Sequence, residues 1–264
     1  MRLSLAAVVI AGFAPALAAQ ATFATYTGDA RNTVVVQDAG AGGGINNPLY
    51  LPPAADNNYS GVVNLWFRDA TGAVRSGCTG SLLATRKILT AGHCVYNIAN
   101  DQWYSALSFS PGQNGASSPY GKINWSRALS VKGWTTDHKR DYDYAMIVLS
   151  QDIGNTVGWM GYGWKNPLPA YNININGYPG DKPSGTMWHA FCALQIIQTY
   201  RLYYACDTAG GMSGSATYVY FTNDGKRTIY GIHAYGVSDS TQLNGATRIR
   251  EEVYNNLKNW KATY

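Results

Sequence analysis

Three short segments of the chain carry residue types that together could perform covalent chemistry. Thr90-Ala91-Gly92-His93-Cys94 offers an imidazole just after an apolar run. Asp141-Tyr142-Asp143-Tyr144-Ala145 sets two carboxylates at the mouth of another such run, and Gly210-Gly211-Met212-Ser213-Gly214-Ser215 sets a serine among glycines. Serine is a poor nucleophile unless a neighbouring base takes its proton. Activation calls for a histidine, a buried carboxylate to orient it, and donors for the oxyanion that forms. The candidates are His93, Asp143 and Ser213, with the backbone N–H groups of Gly211 and Ser213 as donors. Glycines before the serine permit a tight turn that aims those two groups at one point. Asp143 abuts the apolar run directly and is preferred over Asp141, which stays open as the alternative.

The elements that must hold these residues are short. Val62–Phe67, Lys87–Thr90 and Tyr144–Leu149 are rich in branched and aromatic residues and suit buried or half-buried strands. Turn formers separate them, as in Tyr178-Pro179-Gly180-Asp181. Many short strands at close spacing point to an all-β barrel or sandwich. Ile249, Val253, Leu257 and Trp260 fall on one helical face, so an amphipathic helix over about 249–262 should close the chain.

Arg2, the apolar run Leu3–Phe13 and Ala16-Leu17-Ala18 read as a secretory signal over residues 1–18, too short to span a bilayer. Residues 19–33 read as a short propeptide and 34–264 as the working domain, and the Gly/Ala/Asn/Pro-rich stretch Gly40–Pro53 suits no regular element. The mature protein is expected to be soluble, extracellular and monomeric. Four cysteines in an exported chain suggest two local disulfides, Cys78–Cys94 and Cys192–Cys206. No C-x-x-C or H-E-x-x-H spacing supports a metal site, and no cofactor is expected. The net charge of +5 comes from scattered residues without a Lys/Arg stripe, which argues against a nucleic-acid partner. No later stretch suits a membrane either. Asn58-Tyr59-Ser60 and Asn124-Trp125-Ser126 are possible glycan acceptors.

At its chemical segments the chain resembles the chymotrypsin-fold serine peptidases, over about residues 60–260. His93, Asp143 and Ser213 follow the family order, 50 and 70 residues apart. Singly, a Gly-x-Ser-Gly turn or an aspartate before a strand is usually a turn or cap. Thr-Ala-Gly-His-Cys is the specific signal, and the three in order outweigh coincidence. The resemblance implies two antiparallel β-barrels, about 55–152 and 153–248, that hydrolyse protein or peptide substrates. It is nearer to the bacterial-type glutamyl endopeptidases, through Gly177-Tyr178-Pro179-Gly180-Asp181-Lys182-Pro183, Thr186-Met187-Trp188, the nucleophile segment and Gly231-Ile232-His233.

That branch implies that His233 and Thr208 read a substrate glutamate; core packing is the plain alternative for His233. His138 and His189 read as solvated and packing residues. Asp207, six residues before Ser213, departs from the branch, because an aspartate at that offset holds Arg or Lys in trypsin-like enzymes. Met212 cannot pair with a new N-terminal ammonium as the trypsin-type aspartate does, so Asn32, Thr33 or Val34 are candidate mature termini approaching the pocket instead. Thirteen aspartates stand against two glutamates, Glu251 and Glu252, beside eleven arginines and nine lysines. Such scarcity would protect a glutamate-cleaving enzyme from itself. The expected activity is therefore cleavage after glutamate, with Arg/Lys cleavage through Asp207 as the alternative. An inactive homologue serving as a binding module would lack a triad member, and none is missing.

Overall fold

The computed structural model describes residues 62–68, 74–104, 107–237 and 241–264. The expected signal, propeptide, candidate mature termini, Gly/Ala/Asn/Pro-rich stretch and Asn58 acceptor lie outside the described residues. Strands form in chain order: β1 (Val62–Arg68), β2 (Val74–Ala84), β3 (Lys87–Thr90), a small ribbon of β4 (Tyr96–Asn97) and β5 (Gln102–Trp103), then β6 (Leu107–Pro111), β7 (Ile123–Leu129) and β8 (Ala145–Leu149). Apart from the ribbon they close into a barrel in the order β1-β2-β3-β8-β7-β6. Closure requires curling, and register irregularities at Leu65/Trp66 and Leu82/Ala84 mark where strands bend. Strand β8 is buried at every residue, which explains its unbroken apolar run.

The second half adds β9 (Gly161–Tyr162), β10 (Asn172–Gly177), β11 (Trp188–Ile197), β12 (Arg201–Tyr204), β13 (Ala216–Phe221), β14 (Lys226–Tyr235) and β15 (Asn244–Arg248). Their order is β13-β10-β11-β12-β15-β14-β9, and pairing of β13 with β14 returns the sheet on itself. Ile173, Ile175, Leu194, Leu202, Tyr204 and Ala246 pack inside it. The fold is all-β and carries its long helix at the C-terminus.

That helix spans Glu251–Thr263. Ile249 precedes it, because its N–H donates to the Tyr230 carbonyl at 2.8 Å and continues sheet pairing instead. Val253 and Leu257 are fully buried, and Trp260 stacks on Tyr144 with ring centres 5.8 Å apart. The Cys78–Cys94 and Cys192–Cys206 disulfides are both formed.

Two registers bring the chemical segments together. Strands β3 and β8 pair antiparallel with Thr90 opposite Ala145, so His93, just past β3, arrives beside Asp143, just before β8. Strands β13 and β14 pair with Ala216 opposite Ile232, which lays His233 along the Ser213 segment.

Candidate active site

Asp143 has no solvent-exposed surface. Its Oδ2 lies 2.7 Å from His93 Nδ1, and its Oδ1 accepts the His93 backbone N–H at 2.8 Å. A second-barrel residue holds it from behind, the Thr247 hydroxyl donating to the Asp143 carbonyl at 3.0 Å. Burial pulls the His93 pKa down, but the Asp143 charge and hydrogen bond outweigh it and hold the imidazole above its usual range. Asp141 is engaged elsewhere, accepting from Arg201 Nε at 2.8 Å. Trp134 and Tyr235 flank the imidazole, each with its ring centre 6.3 Å away.

Ser213 sits half-buried on a loop tied into the first barrel. Its carbonyl accepts from the Thr79 N–H at 2.7 Å and lies 3.6 Å from Cys94 Sγ, beside His93. Among the described residues the Ser213 hydroxyl makes no hydrogen bond, to His93 or to any other group. In substrate-free sites the nucleophile–base contact is commonly long and tightens on binding. Gly211 takes φ +100° and Gly214 φ +88°. A Cβ at Gly211 would strike the Tyr178 carbonyl, and one at Gly214 the Thr79 carbonyl and Thr90 hydroxyl. Met212 and Gly214 donate their N–H groups to Ala209 and His233, whereas those of Gly211 and Ser213 meet no acceptor among the described residues. Two uncommitted donors therefore flank the serine.

His233 is buried beside this loop, its N–H donating to the Ser215 carbonyl at 2.9 Å. Burial, then the His93 charge, pulls its pKa down to about 3, so the ring is neutral. The Thr208 hydroxyl is buried with no hydrogen-bond partner among the described residues. Thr208 and Asp207 line a recess with Pro179, Lys182, Trp188 and Met212, which neither Ser213 nor His233 lines. No hydrogen bond joins Thr208 to His233. His138 bonds Asp101 at an exposed position, and half-buried His189 lies 2.9 Å from Asn174 Oδ1, with burial lowering its pKa to about 4. Both stay away from the triad candidates.

Sequence reasoning missed Thr79, Thr247 and Trp134. Each acts through contacts far along the chain, and none carries a motif. Cys78, His93 and Cys94 are the one group among the described residues that could gather metal-ligand atoms, but both sulfurs are spent in the disulfide.

Residues 54–256 match the trypsin family. Over 188 residues the chain is 40% identical to a glutamyl endopeptidase of Bacillus licheniformis, covering 70% of this chain and 59% of the relative. Over 204 residues it is 38% identical to an extracellular metalloprotease of Bacillus subtilis, covering 76% and 64%. It thus spans about six tenths of the length of these relatives. A solved Glu endopeptidase in complex with MPD superposes with a TM-score of 0.71 at 29% identity, over 87% of this chain and 100% of that one. A family match across most of the chain, on paired barrels of the same shape, makes this protein a member of the trypsin family with the chymotrypsin fold.

Proposed function

We propose that this protein is a secreted serine endopeptidase that cleaves peptide bonds after glutamate, with His93, Asp143 and Ser213 as its triad. The observation that carries the catalytic part is the buried Asp143 gripping His93 through both carboxylate oxygens, beside a serine flanked by two uncommitted N–H groups. In this mechanism His93 takes the proton of Ser213 as the hydroxyl oxygen attacks the substrate carbonyl carbon. The resulting oxyanion meets the N–H groups of Gly211 and Ser213. Collapse breaks the C–N bond, and His93 returns the proton to the departing amine. Water, activated by the same imidazole, then releases the acyl group from Ser213. Two disulfides and the signal-like first 18 residues support export.

The glutamate preference rests on Thr208 and His233. An ionised carboxylate entering a desolvated pocket costs several kcal/mol unless donors replace its water. The His233 imidazole can supply an N–H, and the Thr208 hydroxyl, which has no hydrogen-bond partner among the described residues, is a second donor in a recess that His233 does not line. The glutamyl endopeptidase relatives support the same substrate class. Asp207 lines the same recess as Thr208, with Lys182 and Trp188. The test is cleavage-site profiling on a peptide library with the purified protein. Cuts after Glu are expected, and cuts after Arg or Lys that vanish in Asp207→Asn would replace this specificity with the trypsin-like one.

A further inference from the structure

One ring nitrogen of His233 is already committed. Its Nδ1 lies 2.7 Å from the Tyr204 hydroxyl oxygen, and both side chains are buried. That hydroxyl lies in turn 3.5 Å from Thr217 Oγ1, on β13 four residues beyond Ser213. The Tyr204 ring packs with Ile175, Leu202 and Ala246, where a phenylalanine would fill the same space. A buried hydroxyl is costly unless its hydrogen bonds matter, and the proton transfers of the triad use neither Tyr204 nor Thr217.

A neutral imidazole carries one N–H, and the partner of one nitrogen decides the role of the other. If Nδ1 accepts a proton from Tyr204, Nε2 carries the hydrogen and can donate to a carboxylate. If Nδ1 donates instead, Nε2 presents a lone pair, which repels a carboxylate. We propose that Tyr204 is a positioning residue for substrate selection, its hydroxyl donating to His233 Nδ1 so that Nε2–H is offered to an acidic side chain. In this arrangement the Thr217 hydroxyl, 3.5 Å away, is free to donate to the Tyr204 oxygen and extend the chain, whose members would polarise one another. Burial raises the Tyr204 pKa well above its ordinary value, so the phenol keeps the proton it donates. The inference rests on the glutamate reading of His233.

The experiment compares wild type, Tyr204→Phe and His233→Ala on peptides differing only in Glu or Gln before the scissile bond. The tautomer of His233 is read separately by 15N NMR. In wild type, Nε2–H and a preference for Glu are expected. In Tyr204→Phe the Glu-to-Gln ratio of kcat/KM should fall about tenfold, in KM rather than kcat, with a mixed tautomer. An unchanged ratio in Tyr204→Phe, where His233→Ala abolishes it, overturns the positioning role and leaves the glutamate reading intact. No Glu preference in wild type overturns the glutamate reading itself. If Tyr204→Phe fails to fold, the wild-type tautomer decides: Nε2–H supports the proposal and Nδ1–H overturns it.

Discussion

The Thr79 backbone N–H donates to the Ser213 carbonyl at 2.7 Å, across 134 positions of chain. Around that bond the first barrel grips the Ser213 loop of the second. The Thr79 hydroxyl donates to the Gly211 carbonyl at 2.9 Å and accepts the Tyr178 N–H at 3.0 Å. Its own carbonyl accepts from Thr90 Oγ1 at 2.8 Å, at the end of the strand that leads to His93. One threonine on β2 thus holds both halves of the site to a common frame.

Thr79→Val keeps the shape but strands the half-buried Gly211 carbonyl and the buried Tyr178 N–H. A loss of about 1–3 kcal/mol in unfolding free energy is expected, read by urea denaturation. Loosening of the Gly211 turn should lower kcat about tenfold while KM stays near wild type. Unaltered kcat with normal stability would show that the loop holds its geometry without this bridge.

Ser213→Ala deletes one half-buried hydroxyl that makes no hydrogen bond among the described residues. The melting temperature should barely move while hydrolysis falls by about 10^4-fold or more. Wild-type turnover in this variant would end the assignment of Ser213 as nucleophile.

Asp143→Asn should lower kcat about 10^4-fold by favouring the wrong His93 tautomer. The general base must be unprotonated, so kcat/KM rises with pH through the His93 pKa. Asp143 holds that pKa above the ordinary 6.5, placing the acid limb of the wild-type profile above that value. Without the carboxylate, burial alone acts and the limb should move to lower pH. A pH–rate profile of the residual activity checks the direction, and an unmoved limb would separate Asp143 from the base.

Replacing Cys78 and Cys94 together by serine releases a bridge between residues 16 apart. The chain-entropy treatment puts the cost at about 3 kcal/mol. Because Cys94 adjoins His93, activity should fall at temperatures where the variant remains folded. The Cys192/Cys206 double variant, whose bridge lies away from His93, should lose comparable stability with less effect on kcat.

The chemical segments were readable in the sequence because their constraints are local. Thr-Ala-Gly-His-Cys, the glycine-bracketed serine and the apolar run after Asp143 each need particular neighbours for a turn or a buried strand. The apolar spacing of Val253, Leu257 and Trp260 likewise identified the terminal helix, since one face of a helix recurs every three or four residues. Between Asp141 and Asp143 the sequence supplied only a preference, because Asp143 abuts the apolar run. Which carboxylate lies beside His93 is set by the β3–β8 register, and Arg201 takes the other. The helix start was likewise settled by sheet pairing at Ile249. Thr79, Thr247 and Tyr204 carried no signal, because a threonine or tyrosine in a strand looks alike whether its hydroxyl meets a neighbour or a residue a hundred positions away. Periodicity reports which face is buried; the partner waiting there is set by how two rings of strands close against each other.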